Sequence, residues 1–295
     1  MSRSQLHSRL TVHTLGYLVP RTAFSGRVHS VFEHACNLEC DWGVGRGLLT
    51  LCDGAAAIGP TTLHFASDDG VDLRDGFFIG DAVMCRDDTL RIGRIELGFP
   101  HARIWQPPVM RARQAGVEAR CHRAGVQLAA RRRLRSSVID AQAAPVVAAL
   151  ADACRNLDTP AALAQAQRLI GWGEGLTPAG DDFLVGLLAA LQALARSDAP
   201  RLGFHAVLAM HVARDVQRTT PIAAHYLRLA AAGHFTEPLL SLRDALLGQT
   251  DEAQLDAALQ RALAVGATSG ADTVSGFLAG LTAWISPCAA PTMAL

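Results

Sequence analysis

The change of pattern along the chain constrains the fold more than any other feature. Up to about residue 105 the apolar residues come in short runs at 48–52, 61–65, 76–84 and 90–97, each closed by breakers such as Asp53-Gly54 or Asp69-Gly70. Runs of that length between turn residues suit strands and hairpins. After Pro107-Pro108 the stretch 109–135 reads as helical despite Gly116 and Gly125. From residue 141 onward alanine and leucine recur with helical spacing: Leu150, Cys154 and Leu157 share one face, and Leu163, Ala166 and Ile170 share another. Further helices are expected at 181–196, 205–215, 222–232, 237–247, 251–265 and 271–284. The expectation is an α+β protein, with a mainly β domain over 1–140 that ends in the helical segment and an α-helical domain over 141–295.

The charge pattern supports that division and removes several chemistries. The chain of 295 residues has 27 basic side chains, all of them arginine, against 27 acids. Without lysine there is no Schiff base, no lysine general base and no Walker-type phosphate lysine. Nine of the arginines lie between Arg103 and Arg135, where the only acid is Glu118. With no aromatic residues interleaved to stack on bases, that segment reads as a solvated face or a subunit contact, and nucleic acid is not an expected partner. Seven cysteines are an odd number scattered through the chain, which fits a reducing compartment and no disulfide framework. His34, Cys36 and Cys40 lie close together but lack zinc-ligand spacing. The N-terminus has no long apolar signal region, and the most apolar stretch, 183–195, is too short to span a bilayer. The expected location is the cytoplasm, with no membrane partner.

One segment carries chemical information. Gly171-Trp172-Gly173-Glu174-Gly175-Leu176-Thr177-Pro178-Ala179-Gly180-Asp181-Asp182 runs directly into an apolar helix. Thr177 or Asp181 would cap that helix, but four glycines within ten residues exceed what a cap needs. They let backbone approach a ligand closely, and exposed amides at a helix start attract anions. A second segment, Gly266-Ala267-Thr268-Ser269-Gly270-Ala271-Asp272, has the same grammar: setting Gly180 on Gly270 also sets Asp182 on Asp272 and Gly186 on Gly276. Two such helix starts meeting at one site is the functional reading, and two capped helices whose glycines permit close packing is the structural one. Arg218-Thr219-Thr220-Pro221 is a third candidate helix start, with groups suited to a carboxylate. Asp181, Asp182 and Asp272 could hold Mg²⁺ or orient an amide donor.

The central segment resembles the signature of the AllH-like family. The resemblance extends to the stretch from His29 and Ser30 through Asn37 and Leu38, to Thr219-Thr220-Pro221-Ile222, and to Thr268-Ser269-Gly270-Ala271-Asp272. It implies a subunit of an anaerobic oxamate carbamoyltransferase that works with AllF-like (FdrA-like) and AllG-like proteins in allantoin-derived purine catabolism. The substrates implied are carbamoyl phosphate and oxamate, small anions that bear amides. The candidate catalytic residues are Asp181, Asp182 and Asp272. The candidate substrate-binding residues are Ser30, Asn37, Gly173, Gly175, Thr177, Gly180, Arg218, Thr219, Thr220, Thr268, Ser269 and Gly270. No cofactor and no resident metal is assigned. Two alternatives stand beside this: a non-catalytic structural or regulatory subunit, and a stand-alone Mg²⁺-dependent hydrolase built on the three aspartates.

Overall fold

A computed structural model describes residues 10–41, 46–54, 56–65, 72–109, 115–134, 142–196 and 198–285. The chain forms two compact units, Met1–Pro108 and Val109–Leu295.

The first unit is built on β1 (Leu10–Gly16), β2 (Phe24–Val31), β3 (Ala35–Asp41), β4 (Arg46–Cys52), β5 (Thr62–Phe65), β6 (Ala82–Arg86), β7 (Thr89–Ile92), β8 (Ile95–Gly98) and β9 (Arg103–Trp105). The sheet order is β5-β4-β3-β2-β6-β7-β8-β1-β9, and β1 also pairs with β5, so the first eight strands close into a barrel. Closure leaves those eight without a free edge. A bulge between Val12 and Thr14 lets β1 serve several neighbours: it runs parallel to β8 at Leu10–Thr11, antiparallel to β5, and parallel to β9 over Thr14–Gly16. Alternate residues such as Leu38, Leu49, Leu51, Leu63 and Phe65 fill the interior. Two features differ from the sequence expectation. The run 90–97 is a hairpin, divided where Gly93 takes a φ of 57°. The run 76–84 becomes strand only at Ala82, after a 3₁₀ turn at Leu73–Asp75 has buried Leu73 and Phe77. Asp87 and Asp88, both at positive φ, form the two-residue turn between β6 and β7.

The second unit is helical: α1 (Val117–Leu134), α2 (Ala144–Asn156), α3 (Thr159–Leu169), α4 (Ala179–Ala195), α5 (Ala199–Arg214), α6 (Pro221–Ala231), α7 (Glu237–Leu247), α8 (Glu252–Leu263) and α9 (Ser269–Ile285). Helix α1 groups with this unit, so the division falls at residue 108, whereas the sequence pattern placed it at 140. Its packing on α9 and its buried Val117, Ala124 and Leu128 place it there, and its arginines add bonds to the neighbouring helices. Arg123 grips Asp256 through Nε (3.0 Å) and Nη2 (2.7 Å) and reaches Glu252 at 2.7 Å, while Arg120 Nε donates to Leu246 O at 2.8 Å. These basic residues are spent on α7 and α8; Arg111, Arg113 and Arg135 lie outside the described residues. Helix α4 is buried on nearly every side, as its alanine- and leucine-rich sequence requires. Among the described residues, no helix is long and apolar enough to cross a membrane. The described cysteines are free thiols, and burial pushes Cys36, Cys40 and Cys154 up to about 12, which leaves them unreactive.

Candidate functional site

The site grows from α4 and α9, which pack side by side with their starts together. A Cβ added to Gly186 would lie 1.9 Å from Thr273 O, and one added to Gly276 would lie 1.9 Å from Phe183 O. Thr273 follows Phe183 by the same ninety positions that separate Gly276 from Gly186, so the two contacts are reciprocal. Gly280 and Ala190, also ninety apart, face each other at the pseudo-axis, with a Cβ on Gly280 falling 2.7 Å from Ala190 Cβ. The two segments of shared grammar are therefore two halves of a pseudo-two-fold repeat, helix–loop–helix in each.

The loops obey the same relation. Gly180 N donates to Trp172 O and Gly270 N to Val265 O, each at 2.9 Å, and each glycine presses on the end of the preceding helix, at Leu169 O and Ala262 O. The stretch between those carbonyls and the glycine is three residues longer in the first half. That half takes up the extra length as an exposed turn, with Gly171, Gly173 and Gly175 at φ of 75°, 106° and 90°. A Cβ would be strained at these angles, which accounts for the glycines. Beneath the turn, Thr177 Oγ1 and Ser269 Oγ lie 2.7 Å apart, joining the two halves.

The acids take different places. Asp182 and Asp272 occupy equivalent positions in the first turns of α4 and α9, where the positive helix ends favour negative groups. Both are buried, at 8% and 0% exposure. Thr177 and Ser269 hydrogen-bond to Asp182, while burial and the neighbouring Asp272 push its carboxyl up to about 8. Asp182 Oδ2 is buried without a hydrogen-bond partner.

Asp181 is not the helix cap that the sequence suggested. Pro178 holds the cap position without a side-chain bond, and the first-turn amides are met by backbone carbonyls such as Trp172 O and Pro178 O. The Asp181 carboxylate turns back instead, accepting from Gly171 N at 2.9 Å and from Thr219 Oγ1 at 2.5 Å. Its burial raises its pKa against those two hydrogen bonds. Thr220 caps α6 by accepting from Ala223 N at 3.1 Å, and its hydroxyl donates to Leu176 O at 2.5 Å. Thr219-Thr220 thus lashes the glycine turn at both ends. Asp181→Ala is expected to destabilise the protein by about 1–3 kcal/mol, because it strands the Gly171 amide and the Thr219 hydroxyl. Thermal unfolding reads this, and a loss confined to a few tenths would contradict the tether.

Among the sequence candidates, the structure gathers Gly173, Gly175, Thr177, Gly180, Asp181, Asp182, Thr219, Thr220, Thr268, Ser269, Gly270 and Asp272 around the starts of α4, α6 and α9. Thr268 contributes its carbonyl, which accepts from Ala271 N and Asp272 N. Arg218 has its carbonyl against Gly171 and its side chain exposed. Ser30 and Asn37 belong to the barrel unit, where Asn37 Nδ2 donates to Ser30 Oγ (3.0 Å) and Thr50 Oγ1 donates to Asn37 Oδ1 (2.9 Å) on the face turned away from the barrel core. With both oxygens of Asp181 committed to the loop, the three aspartates do not converge, and among the described residues no cluster of His, Cys, Asp and Glu is arranged to hold a metal ion. The barrel unit also contains a pair that the sequence reading missed: His34 Nδ1 lies 2.8 Å from Asp53 Oδ2, and the carboxylate raises the imidazole pKa. Their separation of 19 residues carries no periodic signal that would have joined them.

Comparison with known families divides along the same lines. A family model described as oxamate carbamoyltransferase subunit AllH matches residues 169–281, and one described as the AllH family N-terminal domain matches residues 6–104. No solved structure matches the chain.

Proposed function

The chain belongs to the AllH family, named for an oxamate carbamoyltransferase subunit, and from that premise we propose that it helps transfer a carbamoyl group between carbamoyl phosphate and oxamate in a cytoplasmic complex with AllF-like and AllG-like chains. The pathway proposed is allantoin-derived purine breakdown. In the forward direction the amide nitrogen of oxamate attacks the carbamoyl carbon, the tetrahedral oxyanion collapses with loss of phosphate, and the nitrogen gives up a proton to leave oxalurate. Both substrates are anions, and the oxyanion adds charge at one point, so preorganised donors supply most of the help.

The observation that carries this reading is the paired start of α4 and α9, with the exposed glycine turn above it. Two positive helix ends meet there, beside hydroxyls of Thr177 and Ser269. In the proposal the turn 171–177 and the Arg218 side chain face the anion. Asp182 holds a proton next to the two hydroxyls, and Asp181 and Asp272 position the loop and the helix pair. The burial of Asp181 and Asp272 favours a second reading, in which this architecture is structural and a partner performs the chemistry.

The test is oxamate-dependent phosphate release from carbamoyl phosphate, measured for the isolated chain and for the complex reconstituted with AllF-like and AllG-like partners. The isolated chain is expected to be inactive and the complex active. In the complex, Ser269→Ala and Thr177→Val are each expected to lower turnover at least about tenfold, in the range of one lost transition-state hydrogen bond, with assembly unchanged. Full activity of both variants assigns the chemistry to a partner, and robust turnover by the single chain overturns the need for a complex.

A further inference from the structure

Helix α5 carries an outer face unlike that of a solvated helix. Between Ala199 and Ala213 the exposed positions hold no charged side chain; they include Leu202 (45% exposed), Val207 (38%) and Met210 (67%). Arg201, the cation within this stretch, is drawn over the Trp284 ring at 5.1 Å and toward Asp198. A surface helix ordinarily presents polar residues opposite its buried stripe. Alongside this face runs a groove of about 430 Å³ between α5 and α6, lined by Ala206, Ala209, Met210, Ala213, Ala231 and Ala232, with His205 and Arg228 at its polar positions. The floor is therefore almost entirely methyl groups, shallow enough to admit another helix closely.

The polar groups at this groove are unmatched. His205 Nε2 is buried without a hydrogen-bond partner, its other ring nitrogen bonding the Leu188 backbone. Arg228 is exposed and has no carboxylate against it among the described ion pairs. Asp215, the acid nearest in sequence to the end of α5, is buried and held by Arg214 and Gln167. The exposed charges between 199 and 232 are Arg214, Arg218 and Arg228, and the acids of this stretch and its cap, Asp215 and Asp198, are already engaged by Arg214 and Arg201, so a second copy would bring no uncommitted carboxylate from this face. Charge complementarity selects a different chain, one that offers a carboxylate.

We propose that the α5–α6 face is a docking surface for another subunit of the enzyme, occupied by an amphipathic helix whose small apolar residues enter the alanine-lined groove and whose Asp or Glu pairs with Arg228. Met210 is the apolar anchor beside it. The proposal rests on the reading of the chain as a subunit. The burial of uncharged helix surface supplies affinity, and the Arg228 pair fixes register.

The experiment uses the full chain with the AllF-like and AllG-like chains and measures complex affinity by light scattering or calorimetry, with thermal unfolding of each variant alone. Met210→Glu and Arg228→Glu are expected to weaken assembly at least tenfold without lowering Tm, since both side chains are exposed. Hydrogen exchange in 199–232 is expected to slow on complex formation. A wild-type complex whose affinity neither variant alters, with no protection of 199–232, overturns the docking surface and leaves the function reading intact. A wild-type chain that binds neither partner overturns the subunit reading itself. Dimerisation of the wild-type chain alone, abolished by Met210→Glu, replaces the hetero-partner with a second copy and refutes the charge argument.

Discussion

Gly186→Ala and Gly276→Ala are each expected to destabilise the helical unit by about 3 kcal/mol or more, at or beyond the upper end of ordinary overpacking. The obstructing atoms explain the size. The new methyl group would lie 1.9 Å from a backbone carbonyl oxygen of the facing helix, and at Gly186 also 2.7 Å from Phe277 N. A side chain could rotate away from such a clash, but a carbonyl within a helix cannot, so α4 and α9 would have to separate along their whole contact. That separation reaches the site, because Thr177 and Ser269 are held together by the same approach. Gly125→Ala in α1 is the control. Nothing lies within 4 Å of its added Cβ, and a helical glycine replaced by alanine gains about 0.5–1 kcal/mol. Urea unfolding of the three variants measures the contrast; losses below 1 kcal/mol at both Gly186 and Gly276 would mean the helices are not in backbone contact.

The repeat behind that prediction was visible in the sequence because it is a local pattern written twice. Gly180, Asp182 and Gly186 recur as Gly270, Asp272 and Gly276, and the spacing of four between Asp and Gly already places them on one helical face. Helix α7 is found over the expected span, and α6 within one residue at each end, since each has a proline at its first or second position and keeps an apolar stripe. What the sequence hid depended on partners far along the chain. The Asp181 carboxylate looks like a cap from its neighbours, yet Thr219, 38 residues away, turns it toward the glycine loop. Helix α1 looks like an appendage of the β half until Arg123 finds Asp256, 133 residues on. Barrel closure depends on β1 meeting β5, and no property of either strand alone announces that pairing. Ser30 and Asn37 were selected by resemblance. Strand alternation, which sets Leu38 inward, turns Asn37 outward toward Ser30 and Thr50.

Asp182→Asn is expected to change how stability depends on pH more than any other single substitution at the site. The carboxyl is buried beside Asp272 and its pKa is pushed up to about 8, against about 3.9 in an unfolded chain. A folded pKa above the unfolded one means the native state holds the proton more tightly. The stability it confers is complete below about pH 4 and is lost as pH rises toward 8, at up to about 1.4 kcal/mol per pH unit, levelling off above that. Asparagine keeps the shape and a hydrogen-bond donor but has no proton to lose, so the variant should show a much flatter profile over this window. Some slope remains from Asp181, whose pKa burial also raises. At pH 5 the two proteins should be of similar stability, and at pH 8 the variant should be the more stable. Urea midpoints at half-unit pH steps decide the matter: parallel profiles for the two proteins would show that Asp182 is ionised in the folded state. The proton-holding role beside Thr177 and Ser269 would then pass to another group.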